Sequence, residues 1–294
     1  MFQTDRVVIV PEWRARLAAL GMDSVEAVYG LTEGTVITRS SSTEVRRMVC
    51  GKGLEARTVF LKKYWVEHPR QLWSGLCRGT FFGRSKVRRE FENLARLRAW
   101  GLDAPAPVAY GEMRRGRWLL RSFLMSEGVP DPVPLDVFIR DYLPRLPSAV
   151  AQRQRRELIE RLADYTRRMH ERRFVHHDYF WRNILLSGGQ LDHFSLIDAH
   201  KGHVWWPGQG EFIRARDLAA LDAPAPRFFR RAERLRFFLR YLGAEKLGWR
   251  GRSLLRRSLR LAEPQRSRQY QRVEQARYDG GRAAAPPVVQ SGAS

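Results

Sequence analysis

The chain is short of cysteine, of long apolar runs and of acidic residues, and each shortage excludes something. Two cysteines in 294 residues, Cys50 and Cys77, make neither a disulfide framework nor a metal-ligand pair, so a reduced, cytoplasmic setting is expected. No window reaches the roughly 18 uninterrupted apolar residues of a membrane-spanning helix. The opening MFQTDRVVIVPEWRARL has a four-residue apolar run between charges, too short for a signal-peptide core. Asp and Glu number 31 against 53 Lys and Arg, a net charge of +22, with a pI near 11.1. That surplus calls for an anionic partner: nucleic acid, acidic lipid headgroups or a phosphorylated glycan. No nucleic-acid-binding motif accompanies the charge, so nucleic acid is not the expected partner. Hydrophobic residues make up 44% of the chain, enough for the core of one large domain or two lobes.

What is present is a spaced set of two acids and an amide. The stretch FVHHDYFWRNILL, Phe174 to Leu186, puts Asn183 five residues after Asp178, and FSLIDA brings Asp198 fifteen residues after Asn183. His-x-Asp-x-x-x-x-Asn followed by a strand-end Asp is the arrangement of phosphoryl transfer. One carboxylate, Asp178, receives the acceptor hydroxyl's proton. Asn183 and Asp198 hold magnesium against the triphosphate, and Arg182 offers a cation to the γ-phosphate. The expectation is an ATP-dependent kinase using ATP and Mg2+. His176 is expected to pack behind the loop, and Asp217 to brace it through backbone hydrogen bonds. His193, His200 and His203 lie near enough to raise a zinc alternative, but no cysteine joins them and the kinase spacing already accounts for both Asp178 and Asn183.

The order of elements agrees. Residues 11–31 read as mainly helical, with Trp13, Leu17 and Leu20 on one face. Three antiparallel strands follow in TVITRS, EVRRMVC and EARTVFLKKYW, with a turn signal at Gly51-Lys52-Gly53. A loop is predicted over 68–84, a helix from Ser85 to Trp100, a Pro-rich lead-out, a buried strand in WLLRSFLM, and a linker from Ser126 to Pro134. A long helix is predicted over 149–172 and, after Asp198, helical segments near 214–221 and 227–262. The fold class is α+β: a two-lobed, protein-kinase-like fold with a small antiparallel-sheet N-lobe and a mainly helical C-lobe. Its divisions are a helical N-terminal extension (1–33), N-lobe (34–127), C-lobe (128–262) and disordered tail (263–294).

In VFLKKYW, alternation puts Phe60, Lys62 and Tyr64 on one strand face. Lys62 is the candidate for the amine beneath the nucleotide phosphates, against a plainer reading as an exposed strand-end lysine. Its partner is assigned to Glu90, which shares a helix face with Leu94 and Leu97, whereas Glu92 points away and should meet Arg96. The phosphate-covering turn, Arg39-Ser40-Ser41-Ser42-Thr43, contains no glycine; Ser41 and Arg39 are the candidates to contact phosphate there.

With these residues placed, the chain resembles the bacterial lipopolysaccharide core kinases that act on heptose or Kdo sugars. The resemblance rests on FLKKYW, REFENLARLRAWGLDAPAPVAYGE, LADYTRRMHERRFVHHDYFWRNILL, FSLIDAHK and RARDLAALDAP, over roughly residues 34–243. It implies a lipid-linked acidic glycan as acceptor and a cytoplasmic enzyme, peripheral on the inner membrane. Between Arg227 and Arg272, fifteen Lys or Arg stand against three Glu, interleaved with Phe228, Phe229, Phe237, Phe238, Leu254 and Leu255. That pattern reads either as a basic, apolar-anchored helix on an anionic membrane surface or as a C-lobe with a solvated basic face. His177 and Ala199-His200 depart from the protein-kinase pattern. Other small-molecule kinases, Ser/Thr protein kinases and a nucleotide-binding pseudokinase scaffold are the alternatives.

Overall fold

The computed structural model describes residues 3–51, 53, 56–66 and 83–279, with side chains described as far as Arg266. The predicted loop over 68–84 (apart from Gly83 and Arg84), Cys77, Lys52 and residues 280–294 of the predicted tail lie outside the described residues.

The N-lobe is a six-stranded antiparallel sheet of β1 (Gln3–Ile9), β2 (Thr35–Arg39), β3 (Thr43–Cys50), β4 (Arg57–Trp65), β5 (Pro107–Arg115) and β6 (Trp118–Glu127), in the order β1-β5-β6-β4-β3-β2. Two of these strands escape the sequence reading. β5 starts inside the Pro-rich lead-out, and β1 belongs to the segment read as helical extension, where it pairs with β5 from Gln3↔Arg115 to Ile9↔Ala109. Residues 3–33 are thus part of the N-lobe and not a separate helical appendage. Gly111 of β5 lies under Phe123, whose ring atoms would come within 2.2 Å of an added Cβ.

Strand alternation gives this sheet two apolar faces. Val59 and Leu61 of β4 point into a cluster with Trp13, just before α1 (Arg14–Ala19), Leu17 of α1, and Val25 and Val28 of α2 (Val25–Gly30). Tyr29 Oη donates to the Tyr64 and Ser122 carbonyls at 2.6 and 3.1 Å, and Lys63 Nζ donates to the Tyr29 and Leu31 carbonyls at 3.3 and 3.2 Å. The N-terminal helices are therefore bonded to the sheet's outer face. Leu20, expected on the buried face, is exposed.

The other face of β4 turns Phe60, Lys62 and Tyr64 toward α3 (Lys86–Ala99). Ser85 caps this helix, its Oγ accepting from Arg88 N at 3.1 Å. Val87, Glu90, Asn93, Leu94 and Leu97 form its buried face. Glu92 lies outside and pairs with Arg88 and Arg84 at 2.9 and 2.6 Å, not with Arg96.

The C-lobe is built on α4 (Ser148–Glu171), whose Leu158, Leu162, Tyr165 and Met169 are buried as the periodicity requires. Three short strands, β7 (Pro132–Pro134), β9 (Ile184–Ser187) and β10 (Phe194–Leu196), form one small sheet; β8 (Phe174–Val175) and β11 (His203–Val204) form another. Helices α5 (Gly210–Asp222), α6 (Arg231–Leu242) and α7 (Trp249–Asp279) complete the lobe. Helix α7 continues past Pro264, so residues 263–279 are helical where a disordered tail is expected.

Interleaved Phe and Leu residues between Arg227 and Arg272, read either as membrane anchors or as part of the C-lobe, face inward. Phe238 and Leu254 are buried, and Phe228, Phe229, Phe237 and Leu255 pack against the same cores. Between α4, α5, α6 and α7 these helices enclose an apolar cavity of about 560 Å3, lined among others by Leu158, Leu162, Leu218, Phe238 and Leu255.

Candidate active site

Four of the sequence-selected side chains form one chain of charges between the lobes. Lys62 Nζ donates to Glu90 Oε1 at 2.9 Å and also to Asp198 Oδ1. Strand β4 supplies the amine and α3 the buried acid. The segment after β10 supplies Asp198, whose side chain keeps 41% exposure toward the cleft. Burial works against a charged Lys62, but Glu90 and Asp198 overcome it and hold the ammonium well above its ordinary pKa. Burial raises Asp198 in turn, and Lys62 outweighs that, keeping the carboxyl below the usual carboxylate range.

The segment carrying Asp178 and Asn183 is tied down at both ends. Asp217, fully buried on α5, accepts from the His176 and His177 backbone amides at 2.7 and 2.8 Å. His176 is buried behind the loop with Nε2 3.0 Å from the Ile197 carbonyl, which joins the loop to the residue before Asp198. Asn183 Nδ2 donates to the Asp178 carbonyl at 2.8 Å, and Ile197 N donates to the Asn183 carbonyl at 3.1 Å. Among the described residues, four non-glycine positions have positive φ, and two of them are His177 (+64°) and Asp198 (+57°). Such left-handed backbone is costly and persists only where the surroundings enforce it.

Two site residues were not found from the sequence. Asn93 Nδ2 donates to the Ala199 and Gly202 carbonyls, each at 2.7 Å, fixing the turn Ala199–Lys201 that follows Asp198. Its signal was a polar residue three positions after Glu90 on the same apolar helix face. Lys201 Nζ, carried by that turn, lies 2.8 Å from Asp178 Oδ2; as one of 53 cations, it had no distinguishing mark.

Other candidates lie outside this constellation. Arg182 is exposed, its guanidinium 4.5 Å above the Phe180 ring, and no contact brings it to Lys62, Asp178 or Asp198 among the described residues. Arg39 and Ser41 are exposed at the β2–β3 hairpin tip. Ser40 N closes that turn onto the Thr43 carbonyl at 2.8 Å, and Arg39 meets Glu44 at 3.7 Å. A groove of about 880 Å3 lies beside the connection between the lobes, lined in part by Ile37, Phe60, Glu127 and Gly128.

An amine on a sheet, its acid partner on the packed helix, and an acid–amide–acid set from the helical lobe are the parts of a kinase cleft. The family model for lipopolysaccharide kinases (Kdo/WaaP) matches residues 32–240. The chain belongs to the lipopolysaccharide kinase (Kdo/WaaP) family. It has the protein-kinase-like fold and is an ATP-dependent phosphotransferase acting on a sugar hydroxyl of the lipopolysaccharide core. Among its relatives, the core heptose(I) kinase WaaP of Pseudomonas aeruginosa is 28% identical over 231 residues, 75% of this chain and 81% of that protein. The Escherichia coli WaaP of the same description is 30% identical over 121 residues, 40% of this chain and 44% of that protein. A solved structure of WaaP in complex with acyl carrier protein matches with a TM-score of 0.62 at 27% identity, covering 90% of this chain and 99% of that one. In this lipopolysaccharide kinase Lys62 and Glu90 stand paired at 2.9 Å.

Proposed function

We propose that this kinase transfers the γ-phosphate of ATP to a heptose hydroxyl of the lipopolysaccharide inner core, with Mg2+ bound by Asn183 and Asp198. The observation that carries the reading is the meeting of Lys62 with Asp198 across the cleft, Glu90 behind it. The donor set fits a hard cation. The Asn183 amide nitrogen is taken by the Asp178 carbonyl, and one Asp198 oxygen faces Lys62. The Asn183 Oδ1 and the second Asp198 oxygen remain as oxygen ligands of the kind magnesium selects. Magnesium bound there offsets charge on the β- and γ-phosphates.

The protein's own groups do the rest. Lys62 holds the α- and β-phosphates while Glu90 keeps its ammonium in place. Asp178, about one-fifth exposed, orients the acceptor hydroxyl and takes its proton. Phe60 and the inter-lobe groove receive the base. Arg39 and Ser41, at the hairpin tip, cover the phosphates from above. Both relatives are described as heptose(I) kinases, which favours heptose over Kdo. Among the described residues no helix is long and apolar enough to cross a membrane. The enzyme meets its lipid-linked acceptor from the cytoplasmic side, at the anionic surface of the inner membrane.

The test is direct: purified protein, ATP, Mg2+ and lipopolysaccharide lacking core phosphate, followed by tandem mass spectrometry of the released core. A phosphate gained on heptose is expected; a phosphate on Kdo would reassign the acceptor, and none would remove the reading.

A second partner is suggested by the WaaP structure solved with acyl carrier protein. An acyl carrier protein binds this chain too, its acyl chain seated in the apolar cavity between α4, α5, α6 and α7. Co-elution with acylated but not unacylated carrier is expected, and loss of that preference would contradict it.

A further inference from the structure

Of the interleaved apolar residues of Arg227–Arg272, Phe228, Phe229, Phe237, Phe238, Leu254 and Leu255 are turned into the cores, which leaves Trp249, 75% exposed beside the Arg250 guanidinium, and Leu235 as the exposed large apolar side chains among the described residues of that stretch. Most of the large apolar side chains that remain exposed are scattered singly, as on any protein surface. One segment differs. Lys201 is bound to Asp178, and the chain then runs through β11, where His203 and Val204 pair with Val175 and Phe174 just before the acceptor-side loop. The His203 ring stacks on His177 at 4.8 Å. The next residue, Trp205, is buried and its amide donates to the Arg173 carbonyl at 2.9 Å. With Trp205 anchored inward, Trp206 is turned out, 79% exposed. Gln209 N returns to the Trp206 carbonyl at 3.4 Å, and α5 begins. On its first turn Phe212 is 53% exposed. The Arg257 guanidinium from α7 lies 5.3 Å over the Phe212 ring, and Arg216, exposed, stands one turn further along the same helix. Glu211 is the one acidic residue in that first turn.

The geometry points to a membrane-docking face: Trp206 and Phe212, flanked by Arg216 and Arg257, enter the headgroup region of an anionic bilayer and bring Asp178 to a lipid-anchored acceptor. A projecting indole, and a phenyl ring with the Arg257 guanidinium over it, match the chemistry of such a surface. Indole and phenyl rings settle at the boundary between headgroups and acyl chains, while arginines pair with lipid phosphates. The net charge of +22 draws the protein to the same surface over longer range. Four residues separate Lys201, on the acceptor aspartate, from Trp206, so a bilayer held by this face lies next to the site. The inference deepens the lipopolysaccharide kinase reading for its acceptor, but its test needs no phosphoryl transfer.

The experiment is co-sedimentation of the full-length protein with vesicles of phosphatidylcholine alone and of phosphatidylcholine mixed with phosphatidylglycerol. Binding to the anionic vesicles that weakens with added salt is expected. Trp206→Ser with Phe212→Ser should lower the vesicle affinity by about tenfold or more, the scale set by withdrawing two aromatic side chains from an apolar layer. Arg257→Ser gives an independent reading and should lower affinity for anionic vesicles while leaving weak binding to neutral ones unchanged. Both sets of positions are exposed, so melting temperatures should match wild type; if the double variant does not fold, Trp206→Ser and Arg257→Ser singly decide the matter. Wild-type protein that ignores anionic vesicles, or variants that bind them as wild type does, would overturn the proposal. Vesicle binding that is lost in the variants while transfer to a delipidated core oligosaccharide is retained supports the docking face and separates it from the chemistry. Vesicle binding by a protein that transfers no phosphate would leave the face standing and remove the acceptor assignment alone.

Discussion

Lys62 and Asp198 meet across the boundary between the lobes, 136 residues apart in sequence. Glu90 holds the same ammonium from the helix behind at 2.9 Å. A strand in one lobe and a turn in the other are thereby fixed around one cation, the one proposed to meet the triphosphate charge. Lys62→Met should lower kcat/KM on the order of 10^2–10^3-fold, the usual consequence of removing one preorganised group from a charged transition state. Glu90→Gln should be milder, because Asp198 still holds the amine. Steady-state kinetics with ATP varied checks both.

Asn93 is the next link. It binds the two carbonyls that bracket the turn after Asp198, on the helix that also carries Glu90. Asn93→Ala leaves two carbonyls without their donor at a buried site, which should cost roughly 1–3 kcal/mol of stability. Because the same turn carries Asp198 and Lys201, kcat should fall as well. Urea unfolding alongside turnover measures the two effects; unchanged stability would contradict the clamp.

The cation on Asp178 is Lys201, while Arg182, expected at the γ-phosphate, stacks on Phe180. Arg182→Ala should stay within about threefold of wild-type turnover, as an exposed side chain with one stacking contact allows. Lys201→Met should lower kcat more than it raises the KM for ATP, since its contact is with the acceptor-side acid. Equal effects of the two substitutions would remove the distinction.

Acid should weaken the C-lobe. Burial holds His170 below its ordinary value of 6.5 despite Asp217, and burial likewise lowers His177. His170 Nδ1 lies 2.8 Å from Tyr241 Oη, and Nε2 lies 3.4 Å from Asp217. A neutral imidazole serves both, accepting from the tyrosine and donating to the carboxylate. The unfolded chain takes up protons at these histidines from about pH 6.5 downward while the folded chain does not, so stability is lost as pH falls through that range. Burial pushes Asp217 up, but His170 and the His176 backbone amide hold it below the ordinary carboxyl value of 3.8. Its contribution is therefore complete above that value and is lost only at lower pH. The melting temperature should drop between pH 7 and pH 5, less steeply in His170→Phe if that variant folds; a flat profile would contradict this account.

The parts legible in the sequence were those whose chemistry forces a spacing. Asp178 and Asn183 are fixed by one short loop, Lys62 by strand alternation, and Glu90 by the helix face it shares with Leu94 and Leu97. Asp217 was legible as a brace because the Asp sits between apolar helix positions. Asn93 and Lys201 were not legible, since hydrogen bonds to carbonyls and a cation in a basic chain leave no pattern. Strands β1 and β5 were hidden by a short charged start and by prolines. The inward turn of Phe237, Phe238 and Leu254 could not be read either, because a basic amphipathic helix looks the same whether its apolar side meets a protein core or a lipid surface. Only the tertiary partners in the C-lobe decide that.

The measurement that bears most directly on the central claim pairs turnover with calorimetry in Asp178→Asn. The substitution keeps the size of the side chain and leaves Lys62, Glu90, Asn183 and Asp198 in place. Magnesium–ATP affinity close to wild type, with phosphate transfer to lipopolysaccharide core lost, is the predicted result. Transfer that continues at a comparable rate would show that the proton and the acceptor are handled elsewhere, and the assignment of this cleft would fail.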